Sequence, residues 1–162
     1  MASSPRRYRL PTRRLNRPID YRAIGGAHYA NNMLDVELHE WLQDYLDTFA
    51  AAATDPIEGP KRLLEFYFVP LIVATSVGLR TFTTHEQVLG YARGLIAGRH
   101  PDYAHSETLN SELIRVNDST VVWRAEFSRR ARDGHEIERL GATYFIVNGE
   151  FGPRICAIGA HS

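Results

Sequence analysis

The 162-residue chain holds a single cysteine, Cys156, so no internal disulfide can form and the small disulfide-stapled secreted folds are excluded. Net charge is missing as well: 19 basic side chains balance 19 acidic ones, which removes any overall electrostatic reason for a nucleic-acid or membrane-surface partner. No apolar run approaches the roughly 18 residues needed to cross a bilayer, and the opening MASSPRRYRLPTRR lacks the apolar stretch of a secretory signal. A cytoplasmic protein without a membrane partner is therefore expected. Metal spacing is poor. None of the seven histidines forms a His-x-His or His-x-x-x-His pair, and Gln43 stands where a zincin-like motif starting at His39-Glu40 needs its second histidine. Neither a Gly-x-Ser-x-Gly elbow, nor a phosphate-cradling glycine loop with lysine, nor a dinucleotide fingerprint occurs. No cofactor and no metal are expected, and what survives is acid–base chemistry by His, Glu, Asp and Tyr. Cys156 lies in an apolar strand and reads as a structural thiol.

What is present divides into an arm and a body. Residues 1–32 form a basic N-terminal arm: Arg6, Arg7, Arg9, Arg13, Arg14 and Arg17 all precede the first acid, Asp20. Pro5, Pro11 and Pro18 interrupt the amphipathic helix that a mitochondrial transit peptide would form. The arm reads as flexible or draped on the surface; phosphate contact, and with it a nucleic-acid partner, is the alternative.

Residues 33–162 read as one domain. Leu34, Leu38, Trp41, Leu42, Tyr45, Leu46 and Phe49 recur at helical spacing and predict a helix over 33–53, capped by Asn31 or Asn32. A shorter helix is expected from Pro60 to Tyr67, stopped by Pro70. Strands at 71–74 and 79–82 follow, then a helix opened by two overlapping capping boxes in Thr83-Thr84-His85-Glu86-Gln87 and closed by Gly98 and Pro101. Four strands at about 107–116, 119–131, 135–147 and 153–161 complete the chain, separated by the turn dipeptides Asn117-Asp118, Asp133-Gly134 and Asn148-Gly149.

Counting back from Asp133-Gly134 sets Trp123 opposite Tyr144, Ala125 opposite Ala142, Phe127 opposite Leu140 and Val121 opposite Ile146, an apolar side. The other side is mixed: Arg124 opposes Thr143, Glu126 opposes Gly141, Ser128 opposes Arg139, and Val122 and Phe145 lie beside them. Turning Asn117-Asp118 in the same way brings Ser111 opposite Arg124, and His161 falls on the side of Ile155, Ala157 and Gly159. The mixed side is either a pocket wall or a solvated face on which Arg124 and Glu126 pair with each other.

The segments RLLEFYFVPLIVATSVGLRTFTTHEQVLGYARGL, VVWRAEFSRRARDGHEIERLGATYFIV and RICAIGAHS resemble the nuclear transport factor 2-like superfamily, in its SnoaL-like and ketosteroid isomerase-like branch, nearest to members of unassigned function. The resemblance implies an α+β fold: a strongly curved antiparallel sheet wrapped around about three helices into a cone with an apolar pocket, commonly in a homodimer. It also implies one of two roles. The first is a cofactor-independent isomerase, dehydratase, cyclase or hydrolase for a small apolar or polyketide-like molecule. No catalytic set of that superfamily matches this sequence position by position; the mixed strand face is what nominates Glu126 or His161 as the base and Arg124 and Tyr67 to polarise an oxygen, with Trp123, Phe127, Thr143, Tyr144 and Phe68 holding the substrate. The second is a non-catalytic ligand-binding or dimerisation module.

Overall fold

The structure, a computed structural model, describes residues 35–161. The basic arm, the Asn31 or Asn32 cap and the first two residues of the expected opening helix lie outside the described residues. The order is α1 (Asp35–Ala51), a 3-10 turn (Ala52–Thr54), α2 (Gly59–Leu63), a second 3-10 turn (Leu64–Phe66), β1 (Tyr67–Thr75), β2 (Gly78–Phe82), α3 (His85–Ala97), β3 (Tyr103–Asn117), β4 (Thr120–Ala131), β5 (Glu136–Gly149) and β6 (Gly152–His161). Pro60 sits in the first turn of α2, where its missing N–H costs nothing. At α3 one of the two capping boxes forms: the Thr84 hydroxyl accepts from the Gln87 N–H, and the Gln87 side-chain oxygen accepts from the Thr83 N–H.

One six-stranded sheet, ordered β2-β1-β6-β5-β4-β3, carries the fold, with the helices against one face. Every neighbouring pair is antiparallel except β1 and β6, which run parallel. This is the expected curved α+β architecture. The β4–β5 register matches the count from the turn, with Trp123 opposite Tyr144, Phe127 opposite Leu140, Arg124 opposite Thr143 and Glu126 opposite Gly141.

Three expectations are corrected. Tyr67 and Phe68 do not end a helix; they open β1, and Pro70 lies inside that strand, following a cis peptide bond. Arg124 faces Glu112 rather than Ser111, because the β3–β4 turn is Asp118-Ser119 and an irregularity between Arg115 and Asn117 shifts the pairing. His161 shares a side with Ala157 and Gly159 but not with Ile155, since a register shift between Phe145 and Ile146 flips the alternation of β6. Ile155 is thereby fully buried, while His161 is on the outer face.

The core lies between α1, α3 and the inner side of the sheet, and aromatic rings dominate it. Tyr45 on α1 contacts Phe66, Tyr67 and Tyr144 at ring separations of 5.5, 6.1 and 5.9 Å, and Trp123 stacks on Tyr144 at 4.9 Å. Such pairs add specific geometry to the large area that each ring removes from water. Truncating Ile155 to Ala should lower stability by about 2–5 kcal/mol, whereas Ile72→Ala, on the outer face of the adjoining strand, should cost under about 1 kcal/mol. Urea unfolding of both variants checks the assignment of faces; equal losses would contradict it.

Candidate functional site

The side chains proposed from the sequence separate onto two faces. Tyr67, Trp123, Phe127 and Tyr144 point into the core and are buried. Arg124, Glu126 and Thr143 lie on the outer face of the sheet with His161, and Phe68 is partly exposed on β1. A single constellation of Glu126, Arg124, His161 and Tyr67 is therefore not assembled, because odd and even positions of one strand face opposite ways.

Three of the four nevertheless surround one outer depression of about 360 Å³, together with Asn110, Glu112 and Arg139. Its floor is Gly141, opposed by Glu126 on one side and His161 on the other. The imidazole of His161 leans over this glycine so closely that a Cβ at position 141 would collide with it. Arg124 forms an ion pair with Glu112 at 3.6 Å, both side chains about 62% exposed. At that exposure the pair is screened and contributes little.

The inner side offers different chemistry. Two features lie on this side, with Arg129 in the lining of each. One is a void of about 40 Å³ lined by Tyr45, Phe49, Phe127 and Tyr144 with Ser106 and Arg129. That volume holds a few water-sized groups and no aromatic ring. The other is a groove of about 780 Å³ between α3 and β2, where Phe82, Tyr91 and Leu95 supply apolar wall and Gln87, Arg80 and Arg129 supply polar groups. Arg129 borders both, and it pairs with Glu138. The lining of void and groove includes no carboxylate and no histidine.

The phenols inside are held neutral. Tyr45 and Tyr67 share a hydrogen bond of 3.2 Å between their hydroxyls, and burial raises the pKa of both above the usual range for tyrosine. Desolvation does the same to Tyr144 and pushes Tyr91 up to about 12. They can orient a polar atom, but they cannot act as bases near neutral pH. Cys156 is half-buried, its thiol donates to the Phe145 carbonyl at 3.4 Å, and desolvation raises its pKa, as suits a structural thiol. Among the described residues no group of three His, Cys, Asp or Glu side chains is placed to hold a metal ion, and no helix is long and apolar enough to cross a membrane.

Residues 36–162 match the family of NTF2-like proteins designated DUF6841. The chain belongs to that family. Curated proteins provide no match. Solved structures with the same fold include an NTF-2 like protein of unknown function from Shewanella oneidensis MR-1, at a TM-score of 0.57 and 7% identity over 77% of this chain and 99% of that one. Aln2 from a Streptomyces species aligns at a TM-score of 0.59 and 13% identity, covering 78% and 89% of the two chains. A proposed aromatic ring hydroxylase from Novosphingobium aromaticivorans aligns at 0.55 and 16%, covering 80% and 91%. At these identities the likeness is one of fold.

Sequence reasoning missed the polar groups that do face inward. Arg129 could have been found, since it shares strand parity with Trp123, Ala125 and Phe127. Tyr45 and Tyr91 were legible as core stripe residues but not as hydroxyl carriers. The raised phenol pKa values carry a pH signature. Unfolded tyrosines ionise near pH 10, while the folded chain keeps Tyr91 protonated to about pH 12. The folded state then binds more protons, so the tyrosine contribution to stability should be constant below about pH 10 and fall as pH rises from there toward 12. Melting temperatures across that range, with absorbance near 295 nm reporting tyrosinate, should show ionisation rising together with unfolding.

Proposed function

We propose that the chain binds a small, largely apolar molecule in the groove between α3 and β2, and that it does so as a homodimer joined through the outer face of the sheet. The observation that carries the first part is the glycine content of α3. Gly90, Gly94 and Gly98 recur one turn apart along the groove, and a Cβ at Gly90 or Gly94 would meet nothing within 4 Å. Glycine inside a helix costs roughly 1 kcal/mol relative to alanine, so this sequence accepts a local penalty where no neighbour forces it. The result is an open channel floor beside Phe82, Tyr91 and Leu95, the mixture of apolar wall and few polar groups that suits a small-molecule site.

The second part rests on one register row. Ile114, Val122, Phe145, Ala157 and Ile72 lie side by side across five strands on the face away from the core. Ile114, Phe145 and Ile72 are 39%, 44% and 39% exposed. The neighbouring row carries both signs of charge in Glu112 and Arg124, so the surface is complementary to itself under a two-fold axis. A second copy of this chain is the occupant such a face fits.

An acid–base enzyme, whether isomerase, dehydratase, cyclase or hydrolase, is the second reading. What favours it is the gathering of Arg124, Glu126 and His161 around the outer depression. Against it stands the ion pair that already occupies Arg124. The binding reading needs no base and is preferred.

Gly94→Leu should fill the groove. Binding of 1-naphthol, followed by fluorescence or NMR titration, should be lost in this variant while stability is unchanged or higher by about 0.5–1 kcal/mol. Retained binding would remove the groove as the site. Phe145→Arg should convert the dimer to monomer in sedimentation velocity, and a wild-type chain that is already monomeric would remove the dimer.

A further inference from the structure

β2 is patterned against the usual alternation. It is an edge strand, and its pairing with β1 sets Arg80 opposite Val73 and Phe82 opposite Leu71, both partners buried. Residues directly opposite each other share a face, so Arg80 and Phe82 stand on the side of α3. Leu79, opposite Ala74, is on the other side and 69% exposed. A strand that turns its charge toward the helix and its leucine toward water breaks binary patterning, and such breaks are expected where a site is built.

The charged residues in the lining of the α3–β2 groove are Arg80 and Arg129. Arg129 is answered by Glu138, which stands outside that lining. Gln87 is engaged at the cap of α3, where its side-chain oxygen accepts from Thr83. Arg80 has neither an ion pair nor a hydrogen bond among the described residues. The groove therefore holds one uncompensated guanidinium and no carboxylate. An aromatic platform adjoins it: the rings of Phe82 and Tyr91 lie 5.0 Å apart, and Arg80 is the next position on the same side of β2, about 7 Å along the strand. Burial pushes the Tyr91 phenol up to about 12, so it brings no negative charge to the groove near neutral pH.

We propose that the ligand of the α3–β2 groove is a monocarboxylate with an apolar body, the body lying on Phe82 and Tyr91 and the carboxylate pairing with the guanidinium of Arg80. This rests on the groove reading above and adds the chemical class of the ligand. A guanidinium presents a fork of N–H donors that two carboxylate oxygens match. One uncompensated cation balances one negative charge, which favours a carboxylate over a phosphate dianion. The rival explanation is that an inward charge on an edge strand only guards it against pairing with another chain.

The test uses the full chain and three probes with one ring system, 1-naphthoate, its neutral analogue 1-naphthamide and 1-naphthyl phosphate, titrated by NMR. 1-Naphthoate should bind about fivefold more tightly than 1-naphthamide at low salt, and the preference should shrink as salt is raised to about 1 M. Arg80→Gln should abolish the preference by weakening 1-naphthoate alone, with 1-naphthamide affinity and melting temperature unchanged. Equal affinity of the wild-type chain for these two probes, with Gly94→Leu blocking both, would overturn the carboxylate and leave the groove standing. A preference that survives Arg80→Gln would overturn the assignment to Arg80, and if that variant also self-associates in sedimentation velocity, the charge guards the edge instead. Tighter binding of 1-naphthyl phosphate than of 1-naphthoate by about tenfold would overturn the class of anion. Binding of no probe would remove the groove and this inference together.

Discussion

Trp123 stacked on Tyr144 across β4 and β5 is the contact on which the rest of this molecule depends. Because side chains alternate along a strand, fixing this one pair as inward decides the direction of every neighbour until a bulge intervenes. Val121, Ala125, Phe127, Ala142 and Ile146 follow it into the core, and Arg124, Glu126 and Thr143 are carried outward. Tyr45 then ties α1 to the sheet through its ring contact with Tyr144 and its hydroxyl contact with Tyr67. A one-residue slip would turn a guanidinium and a carboxylate into the aromatic core.

That arrangement sets the chemistry of the two faces. Inside, the ionisable groups are phenols kept neutral by desolvation and arginines that cannot release a proton, so the interior can orient and attract but cannot abstract. Outside, carboxylates and a histidine are available, but they are exposed to water, where ion pairs are weak and electrostatic preorganisation is lost. The helix that closes the inner side is relieved of side chains at Gly90 and Gly94, so the same element that completes the core also leaves a channel along it.

The parts that were legible in advance were those governed by local periodicity. The apolar stripe Leu38, Leu42, Tyr45 placed α1, the Thr84–Gln87 cap placed the start of α3, and the Asp133-Gly134 turn yielded the correct β4–β5 pairs over most of both strands. Where the count ran through an irregularity it failed. Glu112 rather than Ser111 opposes Arg124, and β6 changes sides between Ile155 and Ala157. Bulges leave only a weak mark on hydrophobic alternation, and each reverses every residue beyond it. Tyr67 was drawn into a helix because the apolar residues before Pro70 fit both periods, and pairing with β6 decided for the strand.

By itself, then, the sequence determined an α+β fold with helical segments at α1, α2 and α3, a C-terminal meander and an apolar side to its central hairpin, since those follow from spacing, caps and turns. Only the tertiary structure decided which polar groups the cone encloses. Arg99 stands in a loop with no periodic pattern to give it direction, and its placement over Phe49 and Tyr103 brings together residues about fifty positions apart on one side and four on the other. No local signal encodes that meeting, because it exists only once the sheet has curved and the helices have closed over it.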